Sequence, residues 1–113
     1  MSDSECIASI KSYIDNHYHM ALTIDCLAKL ACMSPSKLKY CFKKDTGRTI
    51  YGYLTDVRMH CAECLLASTD LCIAHIAERV GYKKSGAFAA AFKKRTGRLP
   101  KKARHIISHE KAI

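Results

Sequence analysis

The chain repeats itself. Residues 42–48 read FKKDTGR and residues 92–98 read FKKRTGR, so six of seven positions match at an offset of 50 (92 − 42). Upstream, Ile24, Leu27 and Ala28 align with Ile73, Ile76 and Ala77 at an offset of 49, and Met33 aligns with Tyr82. One extra residue therefore enters the second copy just after Tyr82. A repeat of this period means that one supersecondary unit is built twice.

The first copy parses as helix, tight turn, helix. Thr23 can cap a helix by accepting from an orphan N–H, and Ile24, Leu27, Ala28 and Ala31 follow at helical spacing. Ser34 is a second N-cap, with Pro35 at the first helical position where its missing N–H costs nothing. Leu38, Cys41, Phe42 and Asp45 share one face of that helix, and Gly47 is a natural terminator. The second copy reads the same way: Asp70 as cap, Ile73, Ile76, Ala77 and Val80 on one helix, Gly81 at the turn, Phe88, Ala91 and Phe92 on the next, and Gly97 at its end.

Around these units the pattern predicts three more helices. Ile7, Ile10, Tyr13 and Ile14 mark one, capped by Asp3 or Ser4. From about Thr49 to Ala67 runs a Pro-free connecting helix with Tyr53, Leu54, Val57, Cys61, Ala62, Leu65 and Leu66 apolar. Pro100 opens a short basic helix carrying Lys101, Lys102 and Arg104. No segment alternates with period two. The expectation is an all-α fold of about seven helices, two helix-turn-helix subdomains joined by a long central helix in a homeodomain-like manner. Its segments are 1–48, 49–67 and 68–113.

Charge bears on the partner. Nineteen Lys and Arg against ten Asp and Glu give a formal net charge of +9 in 113 residues, which favours a polyanion. The first twenty residues carry acids and no apolar core of a signal peptide, and no run of about 18 apolar residues could span a membrane. The seven cysteines, odd in number and irregularly spaced, fit reduced thiols in a cytoplasm better than a disulfide framework. None of the phosphate-loop, dinucleotide, serine-hydrolase or zinc-protease motifs is present, and no carboxylate pair stands out, so no enzyme is expected.

In a helix-turn-helix the second helix enters the major groove. With Leu38 and Phe42 turned to the core, Ser36, Lys39, Tyr40 and Lys43 face outward. They offer a cation for guanine, a hydroxyl, and a phenol for a thymine methyl or a phosphate. Lys37, Lys43 and Lys44 suit phosphates. In the second copy the outward face is Ser85, Gly86, Ala89 and Ala90, nearly bare, flanked by Lys83, Lys84, Lys93, Lys94 and Arg95 for phosphates. The first helix is therefore expected to carry more of the base readout and the second to anchor, with recognition of DNA shape open to it. The competing reading is a solvated polar face.

His60, Cys61 and Cys64 form HCxxC, and Cys72 with His75 makes a second pair. Structural zinc sites usually place CxxC in a turn. Here Cys61 shares the apolar face with Val57 and Leu65 and reads as a small core residue, so neither a metal nor any cofactor is expected.

Taken together, these residues resemble the DNA-binding domain of the AraC/XylS family of bacterial transcription regulators. The resemblance rests on Leu27-Ala28, Met33-Ser34, Leu38, Phe42-Lys43 and Gly47. The connecting helix adds Tyr53-Leu54, Arg58, Ala62 and Leu65-Leu66. The second unit adds Ile76-Ala77, Val80-Gly81-Tyr82, Phe88, Ala91-Phe92-Lys93, Gly97, Pro100 and Arg104. It covers residues 5 to 105. It implies two recognition helices in successive major-groove segments of double-stranded DNA, with base-contacting positions at Ser36, Lys39, Tyr40, Ser85, Gly86 and Ala90. It also suggests regulation of transcription, with activation through RNA polymerase as a second partner favoured over repression. Two departures matter: the second set lacks the usual long polar side chains, and Ala103 stands where members commonly have tyrosine, implying looser packing of the last helix. Many members carry a separate ligand-binding or dimerisation domain, so this chain is read as a stand-alone regulator or, by preference, a domain of a longer parent. Two alternatives remain open: a protein-interaction module that keeps the fold, and a thiol or metal sensor.

Overall fold

A computed structural model of the chain describes residues 2–111, with side chains described through Ile107. Among the described residues there are seven α-helices and no strand. They are α1 (Asp3–His17), α2 (Ile24–Ala31), α3 (Pro35–Thr46), α4 (Ile50–Ser68), α5 (Ile73–Arg79), α6 (Ser85–Thr96) and α7 (Pro100–Lys111). The chain divides into two compact units, Met1–Val57 and Arg58–Ile113. The division falls inside α4, not at either of its ends, because the two halves of that helix bury different residues.

In the first unit α1 packs on both α2 and α3. Its core joins Ile7, Ile10 and Ile14 of α1 to Leu27, Ala28 and Ala31 of α2, Leu38 and Phe42 of α3, and Ile50 and Leu54 of α4. In the second unit α6 packs on α5 and α7. Met59, Ala62 and Leu66 of α4 are buried there, as are Ile76, Ala77, Val80, Phe88 and Phe92. The rings of Tyr82, Phe88 and Phe92 follow one another at 5.8 Å centroid spacings. At 100° per residue, Ile50 and Leu54 lie on one side of α4 while Met59, Ala62 and Leu66 lie well round from them. A single apolar stripe drawn along the whole helix therefore omits Ile50 and Met59, both of which are buried.

Most of the expected helix boundaries hold. Thr23 accepts from the Cys26 N–H and Ser34 from the Lys37 N–H, each at 3.2 Å, with Pro35 first in α3. The repeated TGR proves to be a helix stop. Gly47 (φ 77°) and Gly97 (φ 83°) return their N–H groups to Lys43 and Lys93. Thr46 and Thr96 donate to the carbonyls of Phe42 and Phe92 at 2.7 and 2.8 Å.

Three boundaries differ. The cap of α1 is Ser2, accepting from the Glu5 N–H at 3.2 Å, so Asp3 and Ser4 already belong to the helix. Asp70 does not cap α5, which starts at Ile73 behind Cys72 with no side-chain cap bond. The reason lies in the preceding loop. Thr69 donates to the Leu65 carbonyl at 2.6 Å and accepts from the Leu71 N–H at 3.3 Å, which ties 69–71 to the end of α4. Finally, α7 is a full helix of 12 residues where a short one was expected.

The two turns share one geometry. Cys32 is left-handed (φ 55°), its N–H reaches Lys29, and the Met33 N–H reaches the Ala28 carbonyl at 3.0 Å. Gly81 (φ 102°) and Tyr82 repeat this, the Tyr82 N–H meeting the Ala77 carbonyl at 2.9 Å. This is the helix-ending pattern in which a residue at positive φ satisfies two orphan carbonyls. Glycine takes that conformation freely, whereas cysteine is strained by about 1 kcal/mol. Cys32→Gly should therefore raise the urea-unfolding free energy by about 1 kcal/mol. Gly81→Ala should lower it by at least about as much, because a Cβ there would also meet the Arg58 guanidinium at 3.0 Å.

Tyr53 ties α4 to α1. Its hydroxyl donates to Asp15 Oδ1 at 2.8 Å, and its ring meets Phe42 edge-on at 5.7 Å. Burial, then the hydrogen bond to the Asp15 carboxylate and its charge, push the phenol up to about 12. A raised folded value means that this stabilisation is complete below the unfolded tyrosine value near 10 and is lost as pH climbs towards 12. In a spectrophotometric titration one phenol should ionise at about 12, and Tyr53→Phe should remove that step.

Candidate nucleic-acid interface

The tight turn sets α3 across α2, and the burial of Leu38 and Phe42 then decides which side of α3 faces solvent. Ser36, Lys37, Lys39, Tyr40, Lys43 and Lys44 are all exposed. Tyr40 is 66% exposed, so its ring is open to a partner. Lys44 Nζ stands 5.8 Å from its centroid, which steadies the ring one turn along the helix. Lys37 Nζ lies 3.7 Å from Asp3 Oδ1 of α1 with both side chains more than half exposed, a pairing weak enough for a phosphate to replace. Asp45, expected on the buried face, is exposed and accepts a hydrogen bond from Ser4 at 3.4 Å. The structure thus brings Ser36, Lys39, Tyr40 and Lys43 together on one outward surface. Beyond α3, Arg48 pairs with Asp56 and serves the fold.

In the second unit Phe88 and Phe92 turn inward, leaving Ser85, Gly86 and Ala90 exposed and Ala89 half-buried. A Cβ on Gly86 would meet no atom within 4 Å, so the unit's own packing does not require a glycine there. Lys83 and Lys84 fill the one-residue-longer turn, and Lys84 precedes α6 without a side-chain cap bond. Lys93 and Lys94 are exposed on the outer half of α6. Arg95 stands apart from them: it lies two turns beyond Phe88, on the core side of α6, about 180° round from Gly86. There it lines a groove with residues of α4 and α7.

Two arginines hold the second unit's recognition helix in position, and neither was singled out for that role from sequence. Arg58 of α4 lies over the Tyr82 ring, 5.4 Å from its centroid, and against Gly81, bracing the turn. Arg104 of α7 donates through both terminal nitrogens, to the Leu71 carbonyl and to the Thr69 carbonyl (3.2 Å for the latter), clamping the lead-in to α5. The available signal was a cation one turn from Ile107 on the apolar side of α7. HCxxC does not assemble a site: Cys61 is half-buried, Cys64 is exposed, and among the described residues no three His, Cys, Asp or Glu side chains group as metal ligands.

Residues 27–106 match a family model described as a helix-turn-helix domain. The chain belongs to the AraC/XylS family of DNA-binding domains. Among AraC/XylS members it is 36% identical over 110 residues to the bifunctional transcriptional activator/DNA repair enzyme AdaA of Bacillus subtilis. That alignment takes in 97% of this chain and 52% of AdaA, so the chain spans about half of that relative's length. The C-terminal domain of AraT, a response regulator from Geobacillus stearothermophilus, matches with a TM-score of 0.87 at 36% identity, covering 89% of this chain and 84% of that one. The DNA-binding domain of AdpA, solved in complex with a target DNA, shares the AraC/XylS fold at a TM-score of 0.88 and 24% identity, covering 92% and 94%.

Within this AraC/XylS domain, Arg104 makes hydrogen bonds from a charged donor to half-buried backbone. Arg104→Met should therefore cost about 2–3 kcal/mol of stability. Hydrogen exchange should show the loss as early opening of α5 and α6, while α1–α3 keep their protection.

Proposed function

We propose that this chain binds duplex DNA sequence-specifically and regulates transcription in a bacterial cytoplasm, without enzymatic activity of its own. The observation that carries the reading is the outward surface of α3, where Ser36, Lys39 and Tyr40 stand exposed on the second helix of a helix-turn-helix. Lys39 can give a cation to guanine O6 and N7, Ser36 can donate or accept, and Tyr40 can lie against a thymine methyl. Lys37, Lys43 and Lys44 meet phosphates, fixing register without carrying sequence. The relatives' names support the same role, AdaA being called a transcriptional activator. Activation through contact with RNA polymerase follows from that likeness. No helix among the described residues is long and apolar enough to cross a membrane.

The second unit works differently. Ser85, Gly86, Ala89 and Ala90 can let backbone and methyl groups come close to DNA, and Lys83, Lys84, Lys93 and Lys94 hold phosphates, so α6 anchors and senses groove shape more than base edges. Arg95, exposed but turned round the helix from these lysines, adds to the positive field. The bareness of α6 also favours a second reading, a protein-interaction module that retains the fold.

One experiment separates the two. A binding site is first selected from genomic fragments at near-physiological salt, since phosphate-driven affinity depends on it. Lys39→Ala and Tyr40→Ala should each cost about 1–3 kcal/mol of specific affinity and leave non-specific binding nearly unchanged. Lys43→Ala should weaken all sequences alike and reduce the salt slope by about 1. Unchanged specific affinity in the first two variants would remove α3 as the reader and favour the interaction module.

A further inference from the structure

The two units correspond over more than their helix-turn-helix cores. Ile7, Ile10 and Ile14 of α1 match Met59, Ala62 and Leu66 of α4 at an offset of 52 (59 − 7), and all six are buried. Ile50 and Pro100, the first residues of α4 and α7, match at 50 (100 − 50). By the same offsets Tyr53 of the first unit corresponds to Ala103 of the second, Phe42 to Phe92, and Asp15 to Ala67. Tyr53 fills the space between α1, α3 and α4, with its ring edge-on to Phe42 and its hydroxyl on Asp15. In the second unit that space is an open groove of about 630 Å³, lined by Phe92, Ala67 and Ala103 among others. The groove is the seat of a missing aromatic ring.

Its charge has changed as well. Asp45, the one mismatch in the heptapeptide repeat, becomes Arg95. Asp15 becomes Ala67. Arg48 pairs with Asp56, but the position matching Asp56 behind Arg98 is Ile106. Three carboxylates are thus absent from the corresponding places, and one guanidinium is added. Arg95, Arg98 and His60 line the groove, and Glu63, in place of Lys11, is the acid among the lining residues. A volume of this size lies in the range of small-ligand sites.

We propose that this groove binds a small aromatic carboxylate, its ring in the place of the Tyr53 side chain against Phe92 and its carboxylate between Arg95 and Arg98. The inference does not depend on what α6 meets on its opposite side.

The test is a titration of the isotopically labelled full chain with benzoate at 150 mM salt, roughly the physiological strength that screens diffuse attraction, read by amide chemical shifts. Saturable shifts are expected at Cys64, Ala67, Thr96 and Ala103. Benzamide, which lacks the charge, should bind at least about tenfold more weakly, as should benzoate with Arg98→Gln. Ala103→Tyr, which rebuilds the first unit's arrangement, should abolish the shifts. Should that variant fail to fold, Arg98→Gln and benzamide decide alone. Shifts spread over the α3 lysines and indifferent to these changes would mean attraction to the chain's net positive charge and would overturn the proposal. So would saturation by an acetylated Glu-Tyr-Glu peptide with none by benzoate, which would make the occupant a polypeptide.

Discussion

Each unit depends on a turn, of three residues in the first and five in the second, that must reverse the chain and still satisfy the carbonyls ending the first helix. One left-handed residue does both, at Cys32 and again at Gly81. Once the turn is made, Leu38 and Phe42, or Phe88 and Phe92, bury against the preceding helices, and the outward side of the second helix is settled. The outward surface of the second helix is thus a consequence of backbone geometry and apolar burial. Its polar residues have little part in the fold, which leaves their identities open to selection by a partner.

The same scaffold has been put to unequal use. In the first unit, tyrosine, aspartate and phenylalanine close the space behind the recognition helix, and the helix presents hydroxyls, a phenol and amines. In the second, that space is open and basic, while the recognition helix is almost bare. Several cations that swell the net charge serve the fold: Arg48 pairs with Asp56, Arg58 lies on Tyr82, and Arg104 holds two carbonyls. The cations left for the proposed DNA contact are mainly the exposed lysines of α3 and of the turn and outer half of α6. Arginine suits the inward tasks because its planar fork can bond two acceptors or lie on a ring while keeping its charge.

Local rules were strong enough to reveal much of this in advance. Thr23, Ser34 and Pro35 announce helix starts because their side chains or ring act on the adjacent backbone alone. Gly47 and Gly97 announce helix stops for the same reason. The repeat exposed the pairing of units, and helical period exposed the outward faces of α3 and α6. Where the reading failed, the deciding contacts lay outside the helix pattern. Asp70 looks like a cap, but Thr69 ties 69–71 to the end of α4, and Arg104, 34 residues later (104 − 70), holds the carbonyls on either side of it. Met59 escaped notice because Ile50 and Leu54 are buried in the first unit and Met59, Ala62 and Leu66 in the second, which no single stripe describes.

Sequence by itself determined the all-helical class, the doubled helix-turn-helix and the surface on which Ser36, Lys39 and Tyr40 stand, since each follows from interactions between residues within a few turns of one another. Tertiary structure alone decided that Arg58 lies on Tyr82, that Arg104 holds the carbonyls of Thr69 and Leu71, and that a groove stays open at Ala103 where Tyr53 fills the matching space. Those outcomes depend on which side chains from separate helices converge on a point, and residue spacing along one helix carries no information about that convergence.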